Sequence, residues 1–459
     1  MIQTMPLSRR GLLGGLASTL ALAACNPVSY TAPRAEVAGA FAANSPARRA
    51  GSNAWWAAFR DRQLDALIAA GLKRNLDVQT AVATIREAQA NARLVGASDL
   101  PQVDAQGSAG RNRNETGIVE SSSATLGVSW LVDLFGQNRA ARQGASARLD
   151  AAYLSAEVAR LTVASAVASA YVDARYHQEA LALTRQSLES RRRTLEMTRT
   201  QDAFGSVSRL EVLQAEQLVA QAEAALPGLE VGFDQSVNRL ATLTAGRSAD
   251  IAAQLRKGGG QPRARYSASV GVPADVVRVR PDVRMAERNL AAAAADVGEA
   301  QAAFYPKLTL SGSVTPTNIA GGGSSKSWGF GPQISVPLFS GGANQAQLSA
   351  AQARAEQARL AWQASVLGAV EEVENALAGY NRDARAVAAQ ARLVENARET
   401  VGLTRSSYEL GEADFFPVLD AERSLLSARQ ELAAAVRQQA LNFVALSAAS
   451  AGGVGLPAS

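Results

Sequence analysis

The chain of 459 residues holds one cysteine, Cys25, and one histidine, His177. A lone cysteine excludes a disulfide within the chain, and the two residues together exclude Cys/His zinc sites. Any Ser-His-Asp or Cys-His device would have to use His177. That residue lies in the polar run Tyr171-Val172-Asp173-Ala174-Arg175-Tyr176-His177-Gln178, with no Gly-rich elbow or carboxylate cluster beside it. It reads as a surface histidine of a long helix. Neither a Gly-rich phosphate loop nor a dinucleotide fingerprint is present, so the sequence nominates no catalytic residue, no metal ligand and no cofactor. Aromatic residues make up only 5% of the chain and charges of both signs are interspersed. A basic stripe for nucleic acid is therefore not indicated. After Cys25 no apolar run reaches 18 residues, too little for a helix that crosses a bilayer.

What the chain does have begins at its start. Arg9 and Arg10 precede the apolar or small stretch Gly11 to Ala24, closed by Leu22-Ala23-Ala24-Cys25. Residues 1–24 read as a secretory signal, and Leu-Ala-Ala-Cys resembles a bacterial lipobox, which makes Cys25 the acylated lipid anchor. Asn26 follows it in place of the aspartate that retains lipoproteins at the inner membrane, which favours the outer membrane. Ser8-Arg9-Arg10 before Gly11-Leu12-Leu13 also fits a twin-arginine export signal. Without the two signal arginines the formal charge falls from +5 to +3, with 44 basic and 41 acidic residues.

The sequence is also duplicated. Asn75-Leu76-Asp77-Val78 matches Arg280-Pro281-Asp282-Val283, and Leu100-Pro101 with Gly107-Ser108 matches Tyr305-Pro306 with Gly312-Ser313. Gly127 and Leu134-Phe135 match Gly331 and Leu338-Phe339, while Gly205 with Val212-Leu213-Gln214-Ala215-Glu216 matches Gly411 with Val418-Leu419-Asp420-Ala421-Glu422. Each pair is separated by 204 to 206 positions, so the unit is one large repeat in two copies. Each copy reads as helix, strand, strand, very long helix, helix. Val366, Val370, Val373, Leu377 and Tyr380 form a heptad seam, as do Leu181, Leu188 and Leu195 with Val212, Val219 and Leu226 after the turn. No proline interrupts Gln137 to Phe204 or Gly342 to Leu410. Helices of that length reach roughly 100 Å and must pack along neighbours as a coiled-coil wall. Pro227 should kink the helix after the first tip.

Four segments, near 101–111, 123–135, 306–316 and 327–339, alternate apolar with small or polar residues. Leu126, Val128, Trp130 and Val132 interleave with Gly127, Ser129 and Leu131; Trp328, Phe330, Ile334 and Val336 interleave with Gly329, Gly331, Gln333 and Ser335. This is the pattern of lipid-facing barrel strands with a wet lumen, with Arg111 to Ser123 and Thr315 to Ser327 as polar loops. Four strands cannot close around a lumen, and an open edge cannot lie in lipid. The chain therefore has to assemble through its sheet edges by cyclic symmetry. Dimer, trimer and tetramer all satisfy that requirement.

The motifs resemble a known family, the TolC-like outer-membrane factors, in the lipoprotein branch of efflux-system outer-membrane channels. The matching stretches are Trp55-Trp56 through Leu64-Asp65-Ala66-Leu67-Ile68 to Asn75; Val272-Pro273 with Arg280-Pro281-Asp282-Val283 and Ala286-Glu287; Phe304-Tyr305-Pro306-Lys307-Leu308; Pro337-Leu338-Phe339-Ser340-Gly341-Gly342; and Tyr408-Glu409-Leu410-Gly411 through Val418-Leu419-Asp420-Ala421-Glu422. The resemblance implies a mainly α protein with transmembrane β-strands. Its two-repeat protomer forms a homotrimer, a 12-stranded β-barrel continued by a 12-helix coiled-coil α-barrel. It implies a gated passive conduit, not an enzyme, lipid-anchored in the outer membrane with a long periplasmic extension. The implied partners are a periplasmic adaptor (membrane fusion protein), an inner-membrane pump of the RND type and outer-membrane lipid. It divides the chain into an anchored segment 25–54, a first repeat 55–246, a linker and equatorial region 247–279, a second repeat 280–450 and a tail 451–459.

It further assigns adaptor docking to the tips near 204–207 and 410–414, at Gly205, Ser208, Gly411 and Asp414. The periplasmic gate falls on Phe416 and Asp420, with Tyr408 and Arg405 as candidates to hold the Asp420 carboxylates when closed. Pro417 and Ala413 depart from relatives that carry an acidic residue and an arginine there. Drug efflux and type I protein secretion share this outlet architecture, and the lipobox branch favours efflux of drugs and toxic compounds. A structural periplasmic lipoprotein without a pore is the alternative from another class.

Overall fold

A computed structural model describes residues 31–33, 40, 42, 54–114, 117–264, 273, 278–412 and 414–450. The signal, Cys25, Ala413 and the tail 451–459 lie outside the described residues. After a single 3₁₀ turn at Trp55–Phe59 come helices α1 (Arg62–Arg74) and α2 (Leu76–Ala97), strands β1 (Gln102–Asn114) and β2 (Gly117–Val132), and helices α3 (Gln137–Ala203), α4 (Arg209–Thr244) and α5 (Ser248–Arg256). The second repeat supplies α6 (Pro281–Ala302), β3 (Lys307–Ile319), β4 (Gly323–Ser335), α7 (Ala343–Glu409) and α8 (Phe415–Ala449). The duplication is visible in the elements: α3 and α7 are both 67 residues long, and α4 and α8 are 36 and 35. No described helix is long and apolar enough to cross a membrane.

The chain divides into two compact units. One, from Ala83–Leu154 and Arg284–Ser365, contains the sheet. Its four strands are antiparallel in the order β1-β2-β3-β4. Register fixes the faces. Val103 lies opposite Val128, Val128 opposite Gly312, and Gly312 opposite Phe330; Trp130 lies opposite Leu310 and Leu308 opposite Ile334. Cross-strand partners share a face, so the apolar positions of all four strands fall on one side. The opposite face carries Ser108 against Ser123 and Thr125 against Thr315, whose hydroxyl oxygens lie 2.9 and 3.0 Å apart. Gly312 leaves room for the Phe330 ring, which lies where a Cβ at that position would stand.

The hairpins are longer than their composition suggests. The expected loops Arg111 to Ser123 and Thr315 to Ser327 are mostly strand, and pairing continues to Asn114 opposite Gly117 and to Ile319 opposite Gly323. Gly, Ser and Asn are poor strand formers, but a ladder already in register carries them, and Arg111 adds a 3.0 Å cross-strand ion pair to Glu120. At the other end β4 stops at Ser335, short of the expected 339, because Pro337 offers no N–H to a ladder.

The other unit comprises the described residues of Ala35–Val82, Ser155–Val283 and Val366–Ser459. Its main core gathers Trp55, Phe59, Leu64 and Ile68 with Val167, Tyr171, Phe233, Leu240 and Phe443. Phe443 meets Phe59 edge-on at 5.3 Å between ring centroids. The seams are buried as the heptads require: Leu181, Leu188 and Leu195 on α3, and Val366, Val373 and Leu377 on α7. Beside the α3 seam runs a row of ion pairs, Arg185–Glu230, Arg192–Glu223 and Arg199–Glu216. Each partner steps by seven in opposite directions, the mark of an antiparallel coiled coil. Pro227 sits inside α4, which continues through it.

The Arg-Pro-Asp-Val motif now has a physical role. Arg280 is buried, donates to the Ala449 carbonyl at 2.9 Å, grips Asp282 with two bonds and reaches Glu372 at 2.7 Å. It ties the start of α6 to the end of α8 and to α7. Burial opposes the charged form, but the bonds to Asp282 and Glu372 outweigh it and lift the guanidinium pKa above its ordinary value. In the first repeat Asn75 does the same work without charge. Its Nδ2 donates to the Leu243 carbonyl at 3.0 Å, and its Oδ1 accepts from the backbone of Asp77 and Val78.

Candidate functional site: the helical tips and the gate region

Both helix reversals use one device. At the first tip Gly205 has φ +69° and the Ser206 N–H bonds back to the Gln201 carbonyl at 2.9 Å; at the second Gly411 has φ +75° and Glu412 bonds to Ser407 at 2.9 Å. A left-handed residue after the last turn with a bond spanning five residues is the Schellman arrangement, which glycine allows without a Cβ penalty. Ser208 and Asp414 occupy the N-cap positions of α4 and α8. Ser208 Oγ donates to Glu211 at 3.3 Å. Phe204 and Leu410 beside the two glycines are 82% and 73% exposed, an apolar surface on each reversal.

Behind the tips a small core packs Leu195, Val212 and Ala215 against Phe415, Val418 and Leu419. Phe415 is buried there, with the Tyr408 ring tilted against it at 5.1 Å between centroids, whereas Phe416 is 63% exposed. The two adjacent phenylalanines therefore differ in role: one holds the hairpin and the other projects from it. Pro417 falls in the first turn of α8, where its missing N–H costs nothing.

The expected partners of Asp420 are elsewhere. Asp420 pairs with Arg423 one turn along its own helix at 2.5 Å. Tyr408 donates to Gln201 Oε1 at 2.5 Å, and Arg405 binds Glu422 Oε1 at 2.6 Å. Within the chain neither Arg405 nor Tyr408 pairs with Asp420, whose side chain is half-exposed on α8 while that of Glu422 is buried. Glu422 is the residue that sequence reasoning passed over. Its side chain is 6% exposed, it receives Ser190 and Thr194 from α3 at 3.3 and 3.4 Å, and Oε2 has no hydrogen-bond partner. One buried carboxylate links α3, α7 and α8. Beside it Arg191 is buried and donates to the Leu218 carbonyl; burial lowers its pKa, with the Glu422 charge acting in the opposite sense.

A second buried cation lies where α5 meets α3. Arg175 is 2% exposed and donates to Tyr171 Oη at 3.0 Å, to Gln178 at 2.7 Å, to the Leu255 carbonyl at 3.1 Å and to Gln63. The Tyr171 hydroxyl donates to Asp61 Oδ2 at 2.5 Å, and Asp61 caps α1 by accepting from Gln63 and Leu64 N–H. Burial, reinforced by the bond to Asp61, raises the Tyr171 pKa well above its ordinary value. Gly259, at φ +140°, lies against the guanidinium, so a side chain there would strike it. His177 is not a surface residue either. It is partly buried, its ring lying against Gly232 of α4, and burial lowers its pKa. The glycine 55 residues away in sequence gave no sign that it makes room for the ring.

A four-stranded sheet with one greasy and one hydroxyl-lined face, joined to paired coiled-coil hairpins, defines the protomer of an outer-membrane channel. A solved structure of the outer-membrane channel OprN superimposes with a TM-score of 0.85 at 28% identity, covering 93% of this chain and 99% of that one. The family model for outer membrane efflux proteins matches residues 67–246 and 272–452, and the chain belongs to that family. Nodulation protein T of Rhizobium leguminosarum bv. trifolii is 40% identical over 410 residues, 87% of this chain and 88% of the relative. The antibiotic efflux pump outer membrane protein ArpC of Pseudomonas putida is 31% identical over 450 residues, 92% of this chain and 91% of the relative. Each of the two matched segments spans two strands and the long helices that follow them. The chain is thus an efflux-system outer-membrane factor, of a family whose members are channels and not enzymes.

Proposed function

We propose that this protein is the passive exit duct of a tripartite efflux machine, moving small toxic compounds or drugs from a periplasmic adaptor and an inner-membrane RND-type pump to the exterior. The observation that carries the reading is the sheet: its apolar face is exposed on all four strands, with Trp328, Phe330 and Ile334 between 66% and 72% accessible, and β1 and β4 are edges without a strand partner among the described residues. In lipid such edges must be closed by further copies. Three copies give the twelve strands of the homotrimer, with Cys25 acylated as the lipid anchor. Efflux of small compounds agrees with the antibiotic cargo in the name of the Pseudomonas putida relative.

The exposed tips around Gly205, Ser208, Gly411 and Asp414 are the adaptor-docking surface. Phe416 and Asp420 project toward the pore axis as an apolar ring and a carboxylate ring. Tyr408–Gln201 and Arg405–Glu422 hold the second hairpin against α3 and so keep the rings closed. Bilayer conductance of Asp420→Ala tests the gate: raised conductance and weaker block by divalent cations are expected, and unchanged values remove Asp420 from it. Purification of the mature protein as a water-soluble monomer would overturn the duct itself.

A further inference from the structure

The strand register that sorts apolar from polar residues also sorts charge. Arg111, Arg113, Glu120 and Lys326 share the parity of the apolar face. On the opposite face the described strand residues carry two charges only, Asp104 in β1 and Lys307 at the first position of β3; the rest are mainly Ser, Thr, Gly and Gln. Asp104 lies opposite Gly127, which lies opposite Ser313, which lies opposite Gly329. That row has almost no side-chain bulk. The Asp104 carboxylate rests over Gly127, so close that a Cβ there would sit 2.9 Å from its oxygen. Asp104 has no hydrogen-bond or ion-pair partner among the described residues. Lys307 lies six residues before Ser313 on β3, about 20 Å away at roughly 3.4 Å per residue. That exceeds the ~10 Å screening length of 0.1 M salt, so the lysine does not neutralise the carboxylate.

We propose that Asp104, repeated by symmetry in the assembled pore, forms a carboxylate ring that gives the β-barrel lumen a preference for cations, separate from any selection at the helical tips. The inference rests on the trimeric duct reading. Its physical content is that an unpaired charge on an otherwise neutral, hydroxylated wall sets the local potential, over a range fixed by ionic strength. At 0.01 M salt that range is about 30 Å and spans the lumen; at 1 M it is about 3 Å and does not.

The test is the reversal potential of the purified protein in planar bilayers under a KCl gradient, at low and high salt. Wild type, Asp104→Asn and Asp104→Lys are compared, each also in the Asp420→Ala background to remove the other carboxylate ring. The expected result is cation preference at low salt that is lost in Asp104→Asn, inverted in Asp104→Lys and absent for all three near 1 M. Identical reversal potentials for wild type and both variants at low salt overturn the ring while leaving the duct intact. Absence of conductance in every form overturns the duct reading, and the ring with it.

Discussion

Replacing Arg175 by alanine should loosen the segment after α5 without dissolving the helical body. The guanidinium fills a site 2% exposed and supplies every hydrogen atom in its bonds to Tyr171, Gln178, Leu255 and Gln63. Two acceptors keep a partner in its absence: the Leu255 carbonyl still receives Gln178 Nε2 at 3.1 Å, and Tyr171 still bonds Asp61. The Gln63 and Gln178 carbonyls lose theirs, and a hole opens beneath Gly259. Each acceptor left unsatisfied costs about 1–3 kcal/mol, and a large-to-small cavity adds roughly 2 kcal/mol or more, for a total on the order of 3–5 kcal/mol. At ~1.4 kcal/mol per decade this multiplies the open population of the segment by a factor on the order of 10² to 10³. Trypsin reports that population directly, since Lys257 and Arg263 flank the glycines of this stretch and cleavage tracks local opening. Initial cleavage there should accelerate about a hundredfold in Arg175→Ala. In Arg175→Lys, which keeps the charge but not the planar fork, the increase should be smaller. Cleavage within about threefold of wild type in Arg175→Ala would show that the segment after α5 is held by something other than this cation.

Two further expectations follow from the helical unit. Glu422→Gln removes the counter-charge of Arg405 and should raise the frequency of spontaneous opening in bilayers; Arg405→Gln should do the same, and the double variant should add little, because both act on one contact. His177 is depressed below its ordinary value of 6.5 by burial, with Asp173 opposing and Arg437 reinforcing the shift. A folded state that resists protonation keeps the full contribution of the neutral ring above pH ~6.5 and loses it as pH falls below that value. Thermal unfolding should therefore ease as pH falls below about 6.5 in wild type. His177→Gln should flatten that part of the profile, and an identical profile in the variant counts against the assignment.

Much of the architecture was legible because it repeats. The anchors at Asn75 and Arg280, Gly205 and Gly411 gave the duplication; heptads on α3 and α7 gave the long helices; period-two alternation gave the strands and their faces. What escaped was decided by packing between segments distant in sequence. Arg175, Arg280 and Glu422 look like solvated helix charges until α5, α8 and α3 close over them. Arg405 chooses Glu422 over Asp420 because the register of α7 on α8 is set at the reversal, not by spacing along either helix. Strand ends were misplaced for a local reason, since Gly, Ser and Asn imitate a loop that the ladder overrides.

The seam between β2 and β3 has a bearing on assembly. It joins the first repeat to the second within one polypeptide, with Trp130 opposite Leu310. In the trimer proposed above, moving each partner by the repeat spacing would convert that seam into one between β4 and the β1 of a neighbouring copy, with Ile334 opposite Ala105. A subunit thus carries inside itself a rehearsal of its own contact with the next. Each protomer is a pseudo-dimer, and a ring of three has the near-sixfold regularity that lets one geometry of closure serve at every junction.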